Sequence, residues 1–252
     1  MAEYRFKAVV LDLFDTLVNW NPNLLPEMEW RGRQIRSTLP WVLPRIEAAL
    51  GQGFEREPFL RTYLSVVEEI NAVRERDGVE ITCTERFLRV FERLGLGDGD
   101  GLRPLAEAVT RVHMDGVRSV TSAPPARVEA VRRLACSYRL GLLSNFDDST
   151  AGHQIISDTG VGGLFEAVVV SADVGLRKPN PAIFERVLAM LGLVADEILF
   201  VGDTPAHDVA GAKQVGMRAA WINRNGLAIP DGIPAPDIVI PDLAELPDIL
   251  GC

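Results

Sequence analysis

Short apolar runs recur along the chain, and each ends in a polar residue. Lys7-Ala8-Val9-Val10-Leu11-Asp12 is apolar and partly β-branched, the pattern of a strand covered on both faces of a parallel sheet, and it stops at an acid. Tyr138 to Leu143 ends at Ser144-Asn145, Phe165 to Val170 ends at Ser171, and Glu197 to Val201 runs into Gly202-Asp203. Between these runs the apolar spacing turns helical, over Ala126 to Cys136, Ser149 to Thr159, Pro181 to Leu191 and His207 to Val215. Strand and helix alternating through short loops predict right-handed βαβ units, hence an α/β fold with a doubly wound parallel sheet that Arg218 to Ile222 and Asp237 to Ile240 extend. Ligands of such sheets bind at the carboxyl ends of the strands, so Asp12, Ser144 and Asp203 are expected to converge on one crevice.

Residues 19–121 break this rhythm. Phe59-Leu60-Tyr63-Leu64-Val67-Ile70 and Phe87-Val90-Phe91-Leu94 follow helical spacing with glycine and proline between segments. The simplest organisation is an inserted all-helical cap at 19–121, with the core made of 1–18 and 122–252. The 252 residues suffice for one such core and one modest accessory domain.

Composition narrows the partners. At 47% hydrophobic and 24% charged the chain is an ordinary globular one. No apolar run approaches the roughly 20 residues of a bilayer span, and Met1 to Lys7 lacks a leader pattern, so a cytoplasmic protein without a membrane partner is expected. Cys83, Cys136 and Cys252 form no Cys-x-x-Cys pair, which leaves them as free thiols suited to a reducing compartment. A net charge of −9 disfavours nucleic acid and leaves a small anionic substrate, admitted by a metal and a few local cations. The chain could act as a monomer or a homodimer.

Four segments carry candidate chemistry: Asp12-Leu13-Phe14-Asp15-Thr16-Leu17, Ser144-Asn145, Lys178-Pro179, and Gly202-Asp203-Thr204-Pro205-Ala206-His207-Asp208. Taken singly each is weak, since an aspartate after a strand is more often a turn or cap residue, and Thr16 or Ser144 could equally be N-caps. In this order, each at a strand end or helix start, they resemble the four motifs of the haloacid dehalogenase superfamily. That resemblance implies a Rossmann-like core and a hydrolase that works through a covalent intermediate on an aspartate. Asp12 matches the nucleophile, with Thr16 and Ser144 as anion-binding groups and Asn145 assisting them. Lys178, one of three lysines among 26 basic residues, would bridge the nucleophile and the substrate anion. Asp12, the Phe14 backbone carbonyl and Asp203 would hold Mg2+, and Asp208 would orient Lys178 or a metal-bound water.

One position departs from the pattern. Phosphatases of the superfamily usually carry a second aspartate where this chain has Phe14, and a phenyl ring cannot transfer a proton. Three readings follow. The favoured one is a magnesium-dependent phosphatase of a small phosphorylated metabolite, with Asp15, His207 or a cap residue as substitute acid. The runner-up is a 2-haloacid dehalogenase, whose leaving halide needs no proton, with Trp30-Arg31 and Gln34 resembling a substrate-binding cap segment and Arg31 as the candidate contact. The third is a binding or regulatory protein with little turnover. Arg31, Arg33 and Arg36 are candidates for contacting an anionic tail of the substrate, and equally fit a solvated helix face.

Overall fold

The computed structural model describes residues 6–97 and 99–252. The N-terminal residues 1–5, read above for the lack of a leader, lie outside them. In chain order the elements are β1 (Ala8–Leu11), β2 (Asn19–Trp20), β3 (Glu27–Trp30), β4 (Arg33–Arg36), α1 (Leu39–Leu50), α2 (Arg56–Asp77), α3 (Cys83–Arg93), α4 (Gly99–Ser119) and β5 (Thr121–Ser122). There follow α5 (Pro125–Ala135), β6 (Arg139–Ser144), α6 (Ser149–Asp158), β7 (Phe165–Val170), α7 (Ser171–Val174), α8 (Pro181–Leu191), β8 (Ile198–Gly202), α9 (Ala210–Gln214), β9 (Arg218–Ile222), β10 (Ile238–Ile240) and α10 (Leu246–Leu250). The chain divides into two compact units, residues up to Asn19 with Ser122–Cys252, and Trp20–Thr121.

The first unit is built on a six-stranded sheet in the order β10-β9-β8-β1-β6-β7, with parallel pairing throughout. Alternation along each strand supplies both faces. Val9, Leu11, Leu140, Leu142, Leu199 and Val201 pack on one side with residues of α5, α6 and α10, among them Val131, Ile155 and Leu246. Ala8, Val10, Leu143, Val169, Ile198 and Phe200 pack on the other with Ile183, Phe184 and Val187 of α8 and Ala212 of α9. Two buried faces explain why these strands read as continuous apolar runs. The order also puts β1 between β6 and β8, so the carboxyl ends that carry Asp12, Ser144 and Asp203 are neighbours at the point where the winding reverses. Pro181–Leu191 forms the helix its spacing predicts, started by Asn180 accepting from the Ala182 N–H and ended at Gly192 in the left-handed region.

In the second unit α2 and α3 bury Phe59, Tyr63, Phe87 and Phe91, with ring centroids 5.7 Å apart for Tyr63 and Phe87 and 6.4 Å for Phe59 and Phe91. The helical reading of its start is corrected. Residues 27–36 form an antiparallel hairpin in which Trp30 pairs with Arg33 and Met28 with Ile35. The two-residue loop, Arg31 at φ 50° and Gly32 at φ 75°, matches the twist of the strands, a conformation that Arg-Gly announces far less clearly than Asn-Gly. Arg31, Arg33 and Arg36 therefore lie on a hairpin, and not on a helix face. On α2 Val66 is buried where Val67 was expected, and Leu64 is only half-buried. Among the described residues no helix is long and apolar enough to cross a membrane.

Phe184 tests this packing. It is fully buried with its ring centroid 5.2 Å from that of Phe200, so Phe184→Ala is expected to lose ~3–5 kcal/mol of unfolding free energy, read by urea denaturation.

Candidate active site

Asp12 follows β1 directly, and its own N–H donates to the Val201 carbonyl at 2.9 Å, which fixes it beside the strand that leads to Asp203. The chain then turns sharply. Leu17 and Val18 both donate to the Leu13 carbonyl at 2.9 Å, and Asp15 adopts φ 53°, a left-handed conformation that costs a non-glycine residue roughly 1–2 kcal/mol. Phe14 packs its ring against Phe146, with centroids 5.0 Å apart.

Lys178 is the hub. Its ammonium donates to Asp12 Oδ1 at 2.6 Å and to Asp208 Oδ1 at 2.7 Å, and lies 5.3 Å from the Phe200 ring centroid, with the residue only 3% exposed. Asn145 holds the lysine's main chain from both sides, its Oδ1 accepting from the Lys178 N–H at 2.7 Å and its Nδ2 donating to the Lys178 carbonyl at 3.0 Å. Asp208 completes the support, since its Oδ2 accepts from the Thr204 N–H at 2.9 Å. Residues 205–209 form a π-helical turn ahead of α9, where a plain helix was expected, and this turn carries His207 and Asp208.

A cavity of about 210 Å³ opens on this arrangement, lined by Asp12, Phe14, Asp15, Asn145, Arg177, Lys178, Asp203, Thr204, His207 and Asp208. Carboxylate oxygens of Asp12, Asp203 and Asp208 lie within 4.8 Å of one another. Thr16 and Ser144 are one residue removed from this lining, fully buried, and their hydroxyls have no hydrogen-bond partner among the described residues, where a helix cap would accept from a backbone N–H. A buried hydroxyl left unpaired costs about 1–3 kcal/mol, which marks these two as groups that await a partner. Arg31 lies at the hairpin tip of the second unit with its guanidinium 5.3 Å from the Trp30 ring centroid.

Crowded acid sets the electrostatics. Burial pushes Asp12 up to about 7; Lys178 opposes that rise, while Asp208 and Asp203 add to it. Burial likewise pushes Asp203 up to about 6, reinforced by Asp208 and Asp15 and opposed by Lys178 and Arg224. For Lys178 burial alone would lower the ammonium, but Asp12 and Asp208 together hold it above the ordinary lysine value.

Several supporting residues escaped the sequence reading. The Trp221 indole N–H donates to the Asp203 carbonyl at 3.0 Å, a contact made possible by Trp221 standing opposite Gly202 in the β8–β9 register. Arg177 lines the cavity next to Lys178, and Thr204, inside the fourth motif but given no role there, lines it next to Asp203. Adjacency to Lys178 and Asp203 was the only available signal for those two, whereas Trp221 is revealed by pairing alone.

The sequence profile of the haloacid dehalogenase-like hydrolases matches residues 6–216. The chain belongs to that family. Phosphoserine phosphatase of Thermus thermophilus is 30% identical over 251 residues, which cover 95% of this chain and 97% of the relative. Haloacetate dehalogenase H-2 of Moraxella sp. is 36% identical over 103 residues, covering 41% of this chain and 45% of that protein. In fold, the chain resembles the 2-haloacid dehalogenase of Pseudomonas syringae pv. Tomato, with a TM-score of 0.70, 24% identity and 98% of each chain covered. This haloacid dehalogenase-like chain is thus a hydrolase with an α/β core, and relatives of both chemistries flank it.

Gly202 offers a test of the hub. A Cβ there would sit 2.3 Å from Asp208 Cγ and Oδ2, so Gly202→Ala must displace the carboxylate that steadies Lys178. Hydrolytic turnover is expected to fall by roughly 10²-fold, the scale of a 1 Å misplacement, with the circular dichroism of the fold retained.

Proposed function

We propose that the chain is a magnesium-dependent phosphatase of a small phosphorylated metabolite, with Asp12 as nucleophile. The surplus of acid around that nucleophile carries the reading. The cavity lining sets Asp12, Asp15, Asp203 and Asp208 against Arg177 and Lys178, a balance that repels a phosphate unless a cation accompanies it. The donors suit magnesium, which favours carboxylate and carbonyl oxygens. Asp12 commits one oxygen to Lys178, and Asp203 receives, among the described residues, a 3.3 Å contact from the Thr204 hydroxyl, whereas Asp208 commits both oxygens to Lys178 and Thr204. Asp12, Asp203 and the Phe14 carbonyl would therefore hold the ion, leaving Asp208 to position Lys178. Bound there, magnesium supplies the positive charge that offsets phosphate and keeps Asp12 ionised.

The chain's own groups do the rest. Asp12 attacks phosphorus, the bond to the leaving oxygen breaks, and water later cleaves the acyl phosphate. Lys178 draws the phosphate toward Asp12, and the Thr16 and Ser144 hydroxyls donate to its oxygens. Asn145 acts through Lys178, because its amide grips that residue's main chain. Asp15 and His207 line the cavity and are the groups available to protonate the leaving oxygen in place of Phe14. Substrate choice is assigned to the second unit, as a cap, with Arg31 as a candidate contact for an anionic tail. The near full-length likeness to a phosphoserine phosphatase supports a phosphate ester as substrate.

One observation favours a second reading, 2-haloacid dehalogenation. Phe14 faces the cavity and packs on Phe146, an apolar wall suited to a leaving group that takes no proton. Phosphate esters and 2-chloro acids, assayed with magnesium and with a chelator, separate the two. Magnesium-dependent phosphate release, lost in Asp12→Asn, is expected; chloride release indifferent to the chelator would overturn the phosphatase.

The raised carboxyls give a pH dependence with a definite sign. Asp12 and Asp203 titrate at 3.8 when unfolded and at about 7 and about 6 when folded, so the stability they contribute is present below 3.8 and is lost as pH rises toward 7. Magnesium binds the ionised forms and reverses that loss. Thermal denaturation is expected to show a larger magnesium shift at about pH 8 than at about pH 5, near 2.7 kcal/mol at a hundred-fold excess over Kd, and little shift in Asp203→Asn. An equal shift at both pH values would contradict the assignment.

A further inference from the structure

The turn after the nucleophile is tied down by side chains that the proposed chemistry does not use. The Asp15 carbonyl accepts a hydrogen bond from Arg224 Nη2. Arg224 follows β9, the strand beside the one that delivers Asp203, and its Nε faces Asp242 Oδ2 at 3.9 Å. Asp242 grips the buried Arg127, with Nη2 to Oδ2 at 2.7 Å and Nε at 3.0 and 3.1 Å from the two oxygens. Arg127 Nη1 in turn donates to Asn19 Oδ1 at 2.8 Å. The segment from Asp12 to Asn19 is thereby held at two points, at Asp15 by Arg224 and at Asn19 by Arg127, with Asp242 between the two cations.

A left-handed aspartate persists only where its surroundings dictate it, and the Arg224 bond to its carbonyl is such a restraint. The residue before it is Phe14, whose carbonyl is the expected third ligand of the cation. We propose that Arg224 is a positioning residue which, through the Asp15 carbonyl, fixes the turn that presents Phe14 and Asp12 to a divalent cation. This rests on the magnesium reading above. Arginine suits the task because its rigid planar guanidinium places Nη2 on the Asp15 carbonyl while Nε faces the Asp242 carboxylate 3.9 Å away, a fixed spread that the compact ammonium of a lysine does not reproduce. The guanidinium also opposes the upward shift of Asp203, consistent with its nearness to the cation site.

Isothermal titration of the full chain with MgCl2 tests the proposal, using wild type, Arg224→Gln, Arg224→Lys and Asp242→Asn, each checked for a cooperative thermal transition. Magnesium affinity is expected to fall roughly 10-fold or more in Arg224→Gln, the scale seen when groups supporting a metal ligand are removed. Arg224→Lys should recover only part of it, and Asp242→Asn should weaken binding in the same direction. Turnover at saturating magnesium should fall less than affinity does. Wild-type affinity in a folded Arg224→Gln or Arg224→Lys would overturn the positioning role while leaving the magnesium reading intact. A wild-type chain that binds no magnesium would overturn both.

Discussion

A buried ammonium shared by two carboxylates is the constraint on which this molecule turns. Lys178 sits 2.6 Å from Asp12 and 2.7 Å from Asp208, almost out of contact with solvent. Removing one partner from such a cluster typically costs ~3–5 kcal/mol, because it strands the remaining charge. The surroundings are shaped accordingly. Asn145 fixes the lysine's main chain, Thr204 fixes Asp208, Gly202 leaves room for that carboxylate, and Gly211 lets its helix come close to Pro179 and Phe184. The same cluster leaves Asp12 and Asp203 short of positive charge, which makes the site receptive to a cation.

Sheet topology turns these local facts into a site. With β1 central and β6 and β8 beside it, three chain segments far apart in sequence end within one cavity, and the fourth, at Lys178, is drawn in from the loop before α8. Strands buried on both faces supply a stiff base, so polar groups at their tips are held by the packing of Val10, Leu143 and Phe200 below them. Within the site, the left-handed backbone lies at Asp15, in the turn after the nucleophile.

Much of this was legible in the sequence because continuous apolar runs and their polar stops are local signals. The strands Phe165–Val170 and Arg218–Ile222 and the helix Pro181–Leu191 have the bounds their patterns indicate. What was hidden depends on pairing across the chain. The hairpin Glu27–Arg36 alternates charged with half-buried residues too weakly to stand out from a helix surface, and its turn rests on a positive φ at Arg31 that the residue type does not advertise. Asn145 reads in sequence as an assisting group, but that it assists by gripping the main chain of Lys178, a partner 33 residues away, is visible only in the fold. Trp221 and Arg224 reach the site only through strand order and loop placement. The π-helical turn at 205–209 carries the Asp208 that bonds Lys178 and Thr204, and neither the turn nor those partners is announced by its own residues.

Lys178 opposes the protonation of Asp12, and the site's reactivity depends most directly on that opposition. Carbon-13 NMR of the Asp12 carboxyl, assigned by comparison with Asp12→Asn, reads this in the metal-free wild type and in Lys178→Met. Titration near 7 is expected in the wild type, moving distinctly higher once the ammonium is removed and Asp208 and Asp203 act unopposed. An Asp12 that titrates at the same pH in both proteins would contradict the account.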